Sequence, residues 1–145
     1  MNTAPPQGYA PLALGGEFTT ANGPLFLKHG PDRIWLGFRV QARHTNTAGM
    51  LHGGMMATFC DMLLPIGGQH QSPALAGRFL PTISLQVDYL APTPPGAWVE
   101  GEAQVLRTTT SLAFVQALVS ADGTLVARAS AVLKIGPLLA QPPRR

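Results

Sequence analysis

One stretch of this chain holds a single carboxylate in isolation. Between Arg43 and Arg78 the only Asp, Glu, Lys or Arg is Asp61, set among Met56, Phe59, Cys60, Leu63 and Leu64. A carboxylate among apolar groups is costly to ionise unless something hydrogen-bonds to it. An isolated Asp in such a place is a candidate general base or nucleophile. Just upstream, Asn46, Gly49, His52, Gly53 and Gly54 make a polar, glycine-rich lead-in. Glycine lets a ligand approach the backbone closely. The first turn of a following helix adds unpaired N–H groups and the positive end of a dipole, both suited to an anion. Each residue also has a plainer reading. The plainer readings are a solvated helix residue for Asp61, a backbone-bonding turn residue for His52, a turn or cap residue for Asn46, and turn formers alone for the glycines.

The elements that must position these groups are legible in the spacing. From Gly53 the apolar residues fall at Met56, Phe59, Cys60, Leu63 and Leu64, the three-and-four pattern of a helix. Pro65 has no N–H for the Asp61 carbonyl, which predicts a kink or an early end there, and Gly67-Gly68 follows. Before the helix, Asn22-Gly23-Pro24 is a turn signal and Leu25-Phe26-Leu27 a short apolar run. After a second turn at His29 to Asp32, Ile34, Leu36, Phe38 and Val40 alternate as in a strand. Beyond a loop around 70–77, strands are expected at Ile83–Leu90, Trp98–Leu106, Leu112–Ser120 and Leu125–Ile135, with Asp122-Gly123 as a hairpin turn. Two strands, one helix and four strands fit an α+β arrangement in which a sheet curls round one buried helix. The body spans 17–136, residues 1–16 read as a flexible arm able to dock on it, and 137–145 as a flexible tail.

At 145 residues the chain fits one domain. It is 46% hydrophobic and 12% charged, about half the charged fraction of an average soluble domain. Self-association is the simplest way for such a chain to hide its surface. The net charge is +3, and two of its positive charges are Arg144 and Arg145 at the very end. With no Lys/Arg-rich run interleaved with aromatics, nucleic-acid binding is not expected. Cys60 is the only cysteine, so no intrachain disulfide forms, and a buried, inert thiol in a reducing compartment is expected. No run approaches the ~20 apolar residues of a membrane helix, and the start of the chain is a poor signal peptide. The expected location is the cytoplasm. The histidines at 29, 44, 52 and 70 come without HExxH or CxxC spacing, so no metal site is expected. No G-x-S-x-G elbow marks a serine hydrolase.

The spacing Asn46-x-x-Gly49-x-x-His52-Gly53-Gly54 followed by Asp61 resembles that of the PaaI-like acyl-CoA thioesterases of the hotdog superfamily. The likeness runs from Asn22-Gly23-Pro24 to Lys134 and takes in Tyr89-Leu90-x-Pro92 and Asp122-Gly123-x-Leu125-Val126-Ala127. It implies a hotdog fold, a long central helix wrapped by an antiparallel sheet of about five to six strands, paired edge to edge into a dimer. It implies an acyl-CoA substrate at the subunit interface and no cofactor. By the resemblance, Asp61 is nucleophile or general base and the Gly53 N–H polarises the thioester carbonyl. Asn46 lies in the site, His52 assists or orients, and Thr82, with Ser84 second, supplies a hydroxyl that holds the water. Gly54, Met55 and Phe59 would line the substrate site, and Arg107 would meet the CoA phosphates, in a stretch less basic than is common in relatives.

A geometric consequence follows. Eight residues of helix rise about 12 Å, so one thioester carbon cannot touch both Gly53 N–H and Asp61 of a single helix. Two antiparallel helices across a two-fold axis would bring Gly53 of one chain to Asp61 of the other. The expectation is therefore a homodimer; the resemblance adds a dimer of dimers, and an apolar pocket lining fits a medium-chain or aryl acyl-CoA. The alternatives are a non-catalytic acyl-CoA-binding dimer of the same fold and a hotdog hydratase using His52 and Asp61.

Overall fold

Residues 2–140 are described by the computed structural model. The elements run β1 (Ala10–Leu12), α1 (Glu17–Asn22), β2 (Leu25–His29), β3 (Ile34–Arg39), α2 (Gly53–Gln71), β4 (Thr82–Tyr89), β5 (Trp98–Thr108), β6 (Leu112–Ala121) and β7 (Thr124–Lys134). A 3-10 turn at Ala42–His44 precedes α2. All seven strands join one sheet, in the order β1-β2-β3-β5-β6-β7-β4, and every pairing is antiparallel. The sheet thus exceeds the expected five to six strands. The extra strand is β1, inside the expected arm, where Ala10, Pro11 and Leu12 pair with Leu27, Phe26 and Leu25. Three residues are too few for a period-two signal, and the six-residue α1, which buries none of its residues, leaves no apolar stripe either. Of the expected tail over 137–145, residues 141–145 lie outside the described residues. Within 137–140, the Phe79 N–H donates to Pro137 O and the Leu139 N–H to Gly77 O.

α2 lies against one face of the sheet because its buried positions, Met55, Met56, Phe59, Cys60, Leu63, Leu64, Gly67 and Gly68, recur at helical spacing. They meet the inward residues of the strands, among them Leu36, Phe38, Val99, Val115, Val119 and Leu133, each at most 1% exposed. Phe59 and Phe38 stack at 5.0 Å between centroids. Glycine sets how closely the layers approach: a methyl on Gly67 would collide with the Ala103 Cβ, and one on Gly101 would stand 2.6 Å from Leu63 Cδ2.

Pro65 neither ends nor shortens the helix, which continues to Gln71. The early end expected from its missing N–H is overridden by packing. Proline costs about 3 kcal/mol inside a helix, and the turn beyond it packs Ile66 on the core and buries Gly67 and Gly68, Gly67 directly against Ala103. The β6–β7 hairpin is as expected. Its two loop residues, Asp122 and Gly123, have φ of 46° and 83°, the pair of positive values that a type I′ turn requires. Asp122 Oδ1 also accepts from Trp98 N–H at 3.0 Å. Among the described residues no helix is long and apolar enough to cross a membrane.

Candidate active site

Asp61 projects from α2 toward the start of β4 and is exposed. Its neighbours Ala57, Thr58 and Met62 are only partly covered, so this side of the helix is open, with Asp61 as its charged group. Thr82 Oγ1 donates to Asp61 Oδ1 at 2.6 Å. Thr82 reaches α2 because of a bulge at the start of β4. Thr82 opposes the fully buried Leu133, while Ser84 opposes Val132, leaving Ile83 as the extra residue. Without the bulge, Thr82 and Ser84 would share a face by the two-residue period. With it, Thr82 turns inward to the helix, and Ser84 turns outward, where it lines a groove with Gln86, Leu106 and Phe114. A groove of about 530 Å³ runs past Asp61 and Thr82, walled by Thr58 and Met62 on one side and by Phe18 and Thr19 of α1.

Gly53 lies in a different groove. Asn46, Met50, Met56, Tyr89 and Thr93 line a cleft of about 430 Å³ with it, and none of its residues borders the Asp61 groove. At the mouth of α2 the backbone donors can be accounted for one by one. His52 is the N-cap, and its Nδ1 accepts from Gly54 N–H at 2.8 Å. The Met55 N–H goes to His52 O at 2.9 Å. Among the described residues none accepts from the Gly53 N–H, which is therefore the open donor of the first turn. Tyr89 closes one wall: its hydroxyl donates to Gly53 O at 2.7 Å, and its ring stands 3.4 Å from where a Gly53 Cβ would be. Burial, and then the nearby Cys60, push the Tyr89 phenol up, so it stays a neutral donor.

Asn46 builds the loop that leads into this cleft. Its Oδ1 accepts from Ala48 N–H at 3.0 Å and Met50 N–H at 3.1 Å, and Gly49 turns the chain at φ 77°. His44 ties the same region together from within. It is 2% exposed, accepts from Gln41 N–H at Nδ1 (3.1 Å), donates from Nε2 to Asn22 O (3.0 Å), and takes His52 N–H at its carbonyl (2.8 Å). Both ring nitrogens are used, which makes it a structural histidine.

The structure therefore brings Asp61 and Thr82 together in one groove and Asn46 and Gly53 in another, with His52 capping the helix beside the second. Other expected positions lie elsewhere. Phe59 is fully buried against Phe38, and Met55 is buried beside it. These are core residues, because the 55–59–63 spacing points at the sheet, and the groove linings fall to Met56, Thr58 and Met62. Gly54 gives its N–H to His52. Ser84 faces outward, and Arg107 is exposed at the end of β5 opposite Phe114. Cys60 is fully buried, and burial, with a smaller contribution from Asp61, pushes its thiol up to about 12, consistent with an inert packing residue. Tyr89 and α1 are the site elements that sequence spacing does not single out. Tyr89 carried a signal all the same, as the one aromatic residue of β4 with a polar handle.

The sequence profile of the thioesterase superfamily matches residues 48–127, more than half of the chain, and covers the α2 entrance, Asp61 and β4. The chain belongs to the thioesterase superfamily. Among curated relatives, a Pseudomonas aeruginosa protein with a provisional esterase name is 26% identical over 133 residues, covering 90% of this chain and 96% of that protein. Acyl-coenzyme A thioesterase 13 of Homo sapiens is 27% identical over 103 residues, covering 68% of this chain and 69% of the human protein. Among solved structures, a mutant of the phenylacetic acid degradation protein PaaI from Thermus thermophilus superposes with a TM-score of 0.69 at 25% identity. That match covers 83% of this chain and 99% of the Thermus chain. This thioesterase is thus PaaI-like, has the hotdog fold, and is a thioester hydrolase.

Proposed function

We propose that this thioesterase hydrolyses an acyl-CoA with a medium-chain or aryl acyl group, using Asp61 as nucleophile or general base in a site shared between two chains. The observation that carries the reading is the 2.6 Å bond from Thr82 Oγ1 to Asp61 Oδ1. One carboxylate oxygen is held by the hydroxyl, and the other is left to act on water or on the thioester itself. The acyl-CoA substrate class is supported by the name of the human relative.

In the general-base form, water gives a proton to Asp61 as its oxygen bonds to the thioester carbon. The resulting oxyanion is held by the Gly53 N–H at the positive end of α2. Collapse of the tetrahedral intermediate breaks the C–S bond, and the departing thiolate takes the proton back from Asp61. In the nucleophilic form, Asp61 bonds to the acyl carbon, the C–S bond breaks and the CoA thiolate leaves. Water then cleaves the anhydride, releasing the acid and restoring the Asp61 carboxylate, and the proton from that water goes to the thiolate.

Gly53 and Asp61 border separate grooves and stand about 12 Å apart along one helix. Either form therefore calls for the Gly53 of a second chain. The free edge of β4, with Ile83 and Tyr89 more than half exposed, supports pairing with another copy.

The test is thiol release from short, medium, long and aryl CoA esters by the wild type and by Asp61→Asn. The variant should lose kcat by about 10²–10⁴-fold and retain affinity for the ester. Cys60 contributes at most one equivalent of thiol, so many turnovers are required. Binding of CoA esters without turnover by the wild type would contradict the enzyme reading, and full activity in the variant would remove Asp61 from it.

A further inference from the structure

We propose that Phe18 is a specificity-determining residue: its ring forms the apolar wall of the Asp61 groove against which the acyl group of the substrate packs. The inference rests on the reading that the Asp61 groove receives the thioester. It starts from α1, a helix with no part in the core. None of its six residues is buried, and it has no side-chain N-cap. Phe18 is 66% exposed, a large ring left uncovered, and it borders the groove that contains Asp61 and Thr82.

The fold nevertheless commits several polar groups to holding α1 there. Arg43 donates from Nη1 to Ala21 O at 2.7 Å and from Nη2 to Gly23 O, and the buried His44 donates to Asn22 O at 3.0 Å. Within the helix, Asn22 Nδ2 donates to Phe18 O at 2.8 Å, fixing the backbone that carries the ring. Gly15 and Gly16, at φ 73° and 79° with open space where a Cβ would be, let the chain swing from β1 into α1. Arg43 and His44 belong to the same segment that leads to Gly53. One neck thus fixes both the α2 entrance and the wall beside Asp61. These donors satisfy the C-terminal carbonyls of α1, and in doing so they hold the helix, and with it Phe18, beside the Asp61 groove.

The chemistry of the groove indicates what the wall meets. Phe18, Ala57, Met62 and Leu85 are apolar, and polar groups enter only at Asp61 and three threonines. A two-carbon acyl group leaves this surface in water, while a longer chain or an aromatic ring covers it. Phe18 therefore favours long or aryl acyl groups over acetyl.

The experiment compares kcat/KM for octanoyl-CoA, benzoyl-CoA and acetyl-CoA in the wild type, Phe18→Ala and Phe18→Leu. Because the side chain is mostly exposed, all three should fold, as checked by thermal melting. The expected result is that Phe18→Ala lowers the octanoyl-to-acetyl and benzoyl-to-acetyl ratios by about tenfold. Phe18→Leu should restore most of the octanoyl ratio and less of the benzoyl ratio. Unchanged ratios would overturn the proposal, even with Asp61-dependent turnover intact. If no CoA ester turned over, the thioesterase site would fail separately. The wall would then be read from calorimetric affinities for S-octyl-CoA and S-ethyl-CoA, where loss of the octyl preference in Phe18→Ala upholds it and an equal preference overturns it.

Discussion

At the scale of single residues, the proposed site rests on the Asp61 carboxylate and the hydroxyl that holds it. Thr82→Val keeps the shape of the side chain and removes the donor to Asp61 Oδ1. Steady-state kinetics should show kcat lower by about tenfold, the scale of one lost charge-assisted hydrogen bond, with KM little changed and with recovery in Thr82→Ser. A second consequence concerns His44. Burial, helped by the neighbouring Arg43, pushes its imidazole below the ordinary value of 6.5, and Nδ1 must stay unprotonated to accept from Gln41 N–H. Since the folded state holds this group below its unfolded value, the stabilisation is complete above pH 6.5 and is lost as pH falls through the folded value. Melting between pH 7.5 and 5 should therefore show stability falling by up to about 1.4 kcal/mol per pH unit from this residue. His44→Asn should be less stable at neutral pH and should lack that part of the acid slope. A wild type whose stability does not change below pH 6.5 would contradict the assignment.

The elements show which parts of the fold were legible in the sequence. α2 and the last four strands carry long periodic patterns, and the Asp122-Gly123 turn has residues suited to positive φ, so these could be read directly. β1 and α1 are short and bury little, which leaves nothing periodic to read. Pro65 is a local signal that tertiary packing outweighs. The bulge at Ile83 is the most instructive loss, because one extra residue reverses which side chain of β4 meets the helix. It separates Thr82 from Ser84, a distinction no alternation pattern contains. The facing of α2 was likewise open in the sequence, which is why Met55 and Phe59 are core residues and Met62 is a groove residue. Contact between layers gives a prediction at this scale. Gly67→Ala forces a methyl into Ala103 on β5 and should destabilise the protein by about 1–3 kcal/mol, measured by urea unfolding. An unchanged midpoint would mean that α2 and β5 do not approach as closely as described.

For the whole molecule, the question is why one chain carries two half-furnished grooves. Gly53 offers an open N–H in one, and Asp61 offers a held carboxylate in the other, on a helix too long for both to touch one carbon. The low charge content, the open side of α2 around Asp61 and the uncovered β4 edge all suit a second copy. The sheet has two edge strands, β1 of three residues and β4 of eight, and β4 is the longer one for pairing. The proposal of a dimer rests on Gly53 and Asp61 acting on one thioester carbon; given that, the rise of eight helical residues calls for two chains. The most direct test is complementation between two inactive variants, Asp61→Asn and Gly53→Val, refolded together and assayed for thiol release from octanoyl-CoA. A shared site leaves each mixed dimer with one intact pair, so an equal mixture should recover about one quarter of wild-type activity. No recovery, with mixed dimers demonstrated by native mass spectrometry, would contradict a site built from two chains.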